Sequence, residues 1–504
     1  MKWSTWRRRL AGAAIAAMVG SSLLPSAAFG AVVAEVNSLG DSVKIWDDLR
    51  EEDETRTTLY RKLETGDGGI GSVRVAAGNG HTLLLDGNGR VWSWGSNLYG
   101  ELGIGSSEEE ILTASRVDLP VPAVEIAVGS YFSMALGNDG VVYTWGSDLY
   151  GQLGDGQDEK ISRETPMAVT GIDHPVVAIA AGAGHALAVD IEGSVWAWGQ
   201  NTAGQAGDDS EENVHAPAKI AGLSNIVSVA AGFAHSVALD QNGVVWTWGE
   251  NEYDQLGNPS VDELTAEAVQ VEYEETAPTV TAIASAPYAS HTLALDTEGN
   301  VWAWGFGSHY EVDGISMSAP KAVQVPIYSD NDRIVAVAAG ADHSLALTES
   351  GIIWAWGSNQ HKQLGVPSET GDARSPIQVV DADGNGSFAD IAAIAAGGGH
   401  SVAIGKDGTV WAWGSNQYFD SQWSPLGIGR DNGVYDLPVR SFAVGTDLSS
   451  GEIFFTENRS EVGNNYVHVD PEFDLGVSLD VVVTDEADDS LVSEATYEWH
   501  WGVY

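Results

Sequence analysis

Six histidines each stand thirteen residues before the tryptophan of a Trp-Gly dipeptide. His81, His185, His235, His291, His343 and His400 precede Trp94, Trp198, Trp248, Trp304, Trp356 and Trp413. A seventh copy has Phe132 before Trp145. Imidazole is the usual general base and metal ligand near neutral pH. A catalytic or metal-bound histidine, however, is needed once, in one asymmetric site. Six copies at one place in a repeating unit read instead as structural residues that join strands or repeats. The tryptophans read the same way. Of 19, 13 lie in Trp-x-Trp or Tyr-x-Trp pairs, which marks them as filling between repeats rather than as a binding site.

Other candidate chemistry is sparse. There is no cysteine, which excludes a thiol nucleophile, a disulfide scaffold and a cysteine zinc site. Gly66-Asp67-Gly68-Gly69-Ile70-Gly71 spells a dinucleotide motif but precedes the first repeat strand instead of linking a strand to a helix. No Walker loop, His-Glu-x-x-His helix or Gly-x-Ser-x-Gly elbow occurs. Asp381, Asp383, Asn385 and Gly386 occupy positions 1, 3, 5 and 6 of a calcium loop, with Ser387 at position 7. Alternating hard oxygens and a glycine at the bend suit calcium. Position 12 is Ala392 where a glutamate belongs, and Asp390 could substitute only with another geometry. The competing reading is an ordinary Asp-Gly and Asn-Gly turn.

A further set follows the Trp-Gly dipeptides. Four residues after each glycine come Tyr99, Tyr150, Ala203, Tyr253, His309, His361 and Tyr418. Equivalent loops would share one face, so these side chains could ring it and offer stacking area to a sugar or a peptide. The alternative is that the slot merely covers the edge of its repeat. Departures from the repeat point to specificity. The fifth copy has Ser285-Ala286-Pro287 and a changed loop from Phe306 to Gly314, containing His309 and Tyr310; the seventh has a longer loop with Tyr418, Phe419 and Trp423. Aromatic residues on long loops commonly make contacts.

These residues must be positioned by one unit written seven times. The Trp-Gly tryptophans are spaced by 51, 53, 50, 56, 52 and 57 residues. A constant internal offset with variable spacing describes a rigid hairpin joined by adjustable loops. In the copy at 176–220, Val176–Ala181 is an apolar run and His185–Asp190 alternates. Glu192-Gly193 is a turn, and Val195–Trp198 alternates again. Pro217 to Ile220 reads as a fourth, edge strand, where proline is tolerated. Four short strands per unit of about 53 residues, seven times over, predict an all-β fold, a seven-bladed β-propeller.

The recurring string is shown well by residues 230–257: Ala230-Ala231-Gly232, His235, Asp240, Gly243, Trp246, Trp248-Gly249, Asn251 and Gln255-Leu256-Gly257. It resembles the regulator of chromosome condensation repeat over roughly 71–445. The resemblance implies a seven-bladed propeller and, with the N-terminal segment below, likeness to exported bacterial members of that family. It also implies guanine-nucleotide exchange as an alternative activity, because the best-known member acts on a small GTPase at chromatin.

Residues 1–30 read as a signal peptide. Lys2, Arg7, Arg8 and Arg9 precede the apolar run from Leu10 to Leu24, and Ala28-Phe29-Gly30 offers a cleavage site. Cleavage would remove four positive charges and no negative ones, taking the net charge from −48 to −52. Residues 31–70 read as a short cap or linker, 71–445 as the propeller, and 446–504 as an acidic, β-rich segment, either an incomplete sandwich domain or a separate small one. Strands are expected there at Glu452–Thr456, Tyr466–Val469, Val477–Val483 and Tyr497–Tyr504. So acidic a chain argues against nucleic acid, whose binding needs basic residues to displace counterions. The expectation is an exported, noncatalytic binding or adhesion module at the cell surface or outside the cell. It would present a loop face to a protein or glycan of the envelope or matrix. No cofactor is required; calcium is the candidate ion. The remaining alternative, a secreted polysaccharide-acting enzyme, would need one asymmetric carboxylate cluster.

Overall fold

The computed structural model describes residues 74–443 except 79, 159, 308–317, 330–331, 368, 385, 417–424 and 429–432, together with 445–446 and 453–454. The signal segment, the cap and three of the four expected tail strands lie outside the described residues. The fourth appears in shortened form, as Ile453–Phe454 paired with Gly445–Thr446. By its contacts the chain divides at Gly463, and the second unit, Asn464–Tyr504, is also outside them.

Within the described part, seven four-stranded antiparallel sheets follow one another, each built from four consecutive strands. The third is representative: Val176–Ala181, His185–Asp190, Val195–Gly199 and Val214–Lys219. Its last strand begins three residues before Pro217 and donates little to packing, being half-exposed along its length. The first three strands are buried throughout, as expected for a sheet covered on both faces by its neighbours. First strands contact one another around the whole circle, including Arg74–Ala77 of blade one against Ile391–Ala396 of blade seven. They line an axial cavity of about 80 Å³ walled by alanine and valine, such as Ala76, Ala181, Ala231 and Ala339.

Buried aspartates close the inner hairpins. Asp190 Oδ1 accepts the N–H groups of Glu192 and Ser194, and its Oδ2 accepts Trp196 Nε1 at 2.9 Å. In five blades the second aromatic of the pair, a tryptophan, crosses to the preceding blade, while Trp304 Nε1 of blade five is buried without a partner. Trp145, Trp248 and Trp413 donate to the backbone oxygens of Glu101, Gln205 and Gln363 at 2.8–2.9 Å. A hydroxyl beside each of these three tryptophans donates to the same oxygen: Ser133 to Glu101, Ser236 to Gln205 and Ser401 to Gln363, all at 2.8 Å. That hydroxyl in turn meets the histidine of the preceding blade. His81 Nε2 lies 3.0 Å from Ser133 Oγ, His185 Nε2 3.0 Å from Ser236 Oγ, and His343 Nε2 2.8 Å from Ser401 Oγ. Since each serine has given its only proton to a carbonyl, the imidazole must be the donor, which assigns the Nε2–H tautomer. The repeat histidines are thus blade-to-blade joints.

The ring of each histidine also explains a glycine. A β-carbon at Gly182 would sit 2.2 Å from His185 Cε1 and 2.7 Å from the Gly232 carbonyl of the next blade. Blade five, which lacks this glycine, solves the packing with a longer turn in which Ser285 Oγ donates to His291 O at 2.9 Å.

Blade two departs as a matched pair. Phe132 replaces the histidine, and Ala186 of blade three replaces the hydroxyl that the histidine would reach; both are fully buried in one cluster. Replacing both partners by apolar groups leaves nothing unsatisfied, whereas replacing one would. We therefore expect Ala186→Ser alone or Phe132→His alone to lower stability by about 1–3 kcal/mol. The double variant should recover most of that loss in denaturant unfolding. Strict additivity of the two losses would contradict the pairing.

The joints also set a pH limit. Burial holds His81, His235 and His343 down to about 3, and His185, His291 and His400 to about 4; neighbouring imidazoles add to this at His81, His235 and His343. In the unfolded chain these groups take up a proton near 6.5, so the folded state binds fewer protons below that pH. Stability should be complete above about pH 6.5 and fall steadily towards pH 4. Glu101 and Asp148, whose carboxyls burial pushes up, act in the opposite sense but are fewer. Melting temperature against pH measures this, and a flat profile from pH 7 to 4.5 would disprove it.

Candidate functional site

Antiparallel pairing places the turn between strands one and two, the loop between strands three and four, and the start of strand four at the same end of each sheet. In blade three His185 pairs with Gly199, and Gly199 with Val214. All seven blades therefore contribute these segments to one face. Nine large hydrophobic side chains are exposed among the described residues, and eight lie on this face: Leu98, Tyr99, Leu149, Ile161, Phe233, Tyr253, Leu264 and Val434. The ninth, Tyr328, lies on the other face. This asymmetry singles out one side of the molecule.

The slot after Trp-Gly is part of that face. Tyr99 is 44% exposed and Tyr253 is 42% exposed; Tyr150 is half-buried, His361 exposed and Ala203 buried. Each ring rests on the following blade. Tyr99 tilts against Tyr131 with centroids 5.2 Å apart, and Tyr253 against Phe306 at 4.8 Å. Tyr150 covers Gly184, and His361 covers Gly399, where a β-carbon would come within 2.8 Å and 3.2 Å of the rings. The slot thus both covers a blade edge and leaves ring area facing solvent. His309, Tyr310, Tyr418, Phe419 and Trp423 lie outside the described residues.

The loops carrying these rings are held from within. Gln152, Gln255 and Gln363 accept the slot N–H groups of Tyr150, Tyr253 and His361 through their side-chain oxygens at 2.7–2.9 Å. In blade one Glu101 does the same for Tyr99 at 2.7 Å while accepting Ser96 Oγ at 2.6 Å. Asn97 accepts Leu102 N and donates to the carbonyls of Ser106 and Glu108. Asn251 likewise accepts Leu256 N and donates to Val261 and Asp262. The polar side chains of the repeat string are spent on loop closure, and the aromatic ones are left for contact.

Sequence reasoning singled out the tyrosine slot but missed its neighbours Leu98, Tyr131, Leu149, Phe233 and Tyr288. Phe233 lies against Tyr288 with centroids 6.3 Å apart. Their signal was available, since Tyr131 and Phe233 fill the variable positions between the Ala-Ala-Gly glycine and the histidine place.

At the suspected calcium loop the described backbone closes as a turn. Asp381 N donates to Gly386 O, Gly384 N to Asp381 O, and Val380 bridges to Ser387. Ser387 Oγ is engaged with Gln378 Oε1 at 2.9 Å. Among the described residues no three histidine or acidic side chains come together as a metal centre, so Asp381, Asp383 and Asp390 do not converge; Asn385 lies outside them.

This propeller is of a recognised kind. The RCC1-like domain pattern matches residues 214–454, and the regulator of chromosome condensation (RCC1) repeat matches 88–136 and 139–189, with shorter matches at 73–101, 123–152 and 176–205. The chain belongs to the RCC1 repeat family. It is similar to the human E3 ubiquitin-protein ligase HERC2, 29% identical over 70% of this chain and 7% of that protein. It is also similar to the ultraviolet-B receptor UVR8 of Arabidopsis thaliana, 28% identical over 63% of this chain and 60% of the receptor. The chain therefore spans only a part of each relative's length. Among solved structures, Prp20p of Saccharomyces cerevisiae superposes with a TM-score of 0.58 at 26% identity, over 66% of this chain and 82% of that one. Human WBSCR16 superposes with a TM-score of 0.58 at 24% identity, over 66% and 86%, which speaks to fold alone.

One loop of the face is imperfectly closed. Blade two has Asp148 where blades one, three, four and six have Asn97, Asn201, Asn251 and Asn359. Asp148 keeps the first bond, accepting Leu153 N at 2.9 Å, but its buried Oδ2 has no partner. Burial pushes this carboxyl up to about 6; Asp155 pushes the same way, against the Leu153 bond, His215 and Arg163. We expect Asp148→Asn to stabilise the protein at pH 7.5 by about 1–3 kcal/mol, since the amide restores a donor where an orphaned acceptor stood. The gain should vanish near pH 4, because a raised carboxyl penalises folding only above its unfolded value of 3.8. Thermal unfolding of both proteins across that range is the check, and equal melting points at pH 7.5 would refute it.

Proposed function

We propose that this chain is an exported, noncatalytic binding scaffold that takes a protein partner of the cell envelope or matrix on the face described above. The observation that carries the reading is the placement of eight of nine exposed large hydrophobic side chains on one face, in loops closed by their own Asn and Gln side chains. Exposed apolar patches on otherwise polar surfaces mark contact sites, and preformed loops lose little entropy on docking. The solved relative Prp20p is described by its binding to Gsp1p and histones, which favours a protein over a glycan as the class of partner here. Export rests on the basic, then apolar, then small-residue order of residues 1–30. The noncatalytic reading rests on the commitment of Asn97, Glu101, Asn251 and Gln255 to loop closure.

Co-sedimentation with isolated cell-envelope material tests this, using the protein from residue 31 onward. The wild type should pellet, and a folded variant carrying Tyr99→Ala, Tyr150→Ala and Tyr253→Ala should stay in the supernatant. Pelleting of both would move the site elsewhere, and pelleting of neither would remove the envelope reading.

A further inference from the structure

The same face carries a second pattern, of charge. Its loops between strands three and four hold Glu108 and Glu109 in blade one, Asp208, Asp209, Glu211 and Glu212 in blade three, and Glu252, Asp262 and Glu263 in blade four, all exposed. Lys160 and Lys362 are the basic side chains in the described parts of these loops. In blades one and four the acids and the aromatic rings ride on the same short loops. Glu108 shares a loop with Tyr99, and Glu252 is the neighbour of Tyr253. The loop backbone under these acids is fixed: Asn97 holds the Glu108 carbonyl and Asn251 the Asp262 carbonyl, at 2.8 and 3.0 Å.

Resting on the reading of this face as the docking surface, we propose that its occupant is an arginine- and lysine-rich stretch of the partner protein. A cation over an aromatic ring is attracted by the ring's π-face, and more strongly where a carboxylate stands beside it. Tyr99 and Tyr253 each rest on one neighbouring ring and leave ring area open to solvent, with carboxylates in the same loops. Arginine fits best, because its planar guanidinium stacks on a ring while bonding a carboxylate sideways. A neutral glycan could use the rings but would leave the carboxylates without purpose. A polyanion would meet a chain of net charge −48. Blade four shows the local strain of like charge: burial and the neighbouring Glu252 push the Glu250 carboxyl up, and an arriving cation would relieve this.

The test uses three fluorescein-labelled peptides of equal length with Gly-Ser spacing, whose repeated residue is arginine, lysine or uncharged citrulline. Fluorescence anisotropy is read with the chain from residue 31 onward at about 50 and 200 mM salt. Arginine should bind best, lysine more weakly and citrulline not at all, with affinity falling as salt rises. Tyr99→Ala with Tyr253→Ala should weaken the arginine peptide by about tenfold without altering protein charge. Tyr328→Ala, on the opposite face, should leave it unchanged. Equal binding by the tyrosine variant would mean only adsorption to an acidic protein, and binding of citrulline would remove the charge argument; either result overturns the proposal. The envelope assay separates the two readings. If wild type pellets through these tyrosines but excess arginine peptide does not compete, the docking face stands and the cationic occupant falls. If the arginine peptide binds at the tyrosines while nothing pellets, the cationic chemistry stands and the envelope location falls.

Discussion

At five of the seven blade junctions the molecule is organised around one backbone oxygen. A carbonyl in the loop between strands three and four accepts the indole N–H and a hydroxyl from the next blade, and the hydroxyl is met by the first blade's own histidine. All these atoms are buried, so none can fall back on water, and a buried polar group left unpaired costs more than a made bond gains. The arrangement is therefore satisfied at one spacing and tilt between neighbouring sheets. Apolar packing brings the blades together, but it is not directional; the joint supplies the direction.

That joint also rigidifies the loops on the contact face. The residue whose carbonyl receives the next blade, such as Gln363, uses its side-chain oxygen to hold the slot N–H two residues earlier. One residue is thus anchored on both sides, by the ring beneath and by the loop above. The side chains at the loop tip carry no share of this bonding, which leaves tyrosine, histidine or alanine free to occupy it without loss of the fold. Variation on the face and recurrence of the joint follow from the same geometry.

This division explains what could be read from the sequence. The period, the four strands and the histidine–tryptophan offset were legible because the joint forces those types to recur at a fixed separation along the chain. The compensation between Phe132 and Ala186 was not, since it links residues of different blades and becomes visible only when neighbours are known. The tyrosine slot was legible as a recurring position, but its partial exposure was not. Leu98 and Leu149 were not singled out, and only the backbone path shows them turned outward. At 381–387 the spacing of oxygens was legible, while the turn closed by Asp381 and Gly386 and the bond from Ser387 to Gln378 were not.

The junction between blades seven and one follows the same rule with a weaker hand. No strand crosses it, since every blade is made of four consecutive strands. Trp94 and Thr82 of blade one both donate to the carbonyl of Pro425, each at 3.0 Å, which reproduces the double acceptance found elsewhere. The third member is missing: His400 Nε2 has no hydrogen-bond partner, although its imidazole is as buried as the others. Gly398 N donates to Gly78 O at 3.1 Å, so the inner edge of the ring is closed by backbone as well. Closure thus rests on the acceptor oxygen and the apolar contacts of Trp94, with no help from the imidazole. The ring's shape is consequently set by six histidine places out of seven junctions at most, and blade two already dispenses with one of those. The tryptophan–carbonyl bond recurs at five junctions, the closing one included, while Trp304 Nε1 of blade five is buried without a partner, so the indole's apolar packing is what the joints share most widely.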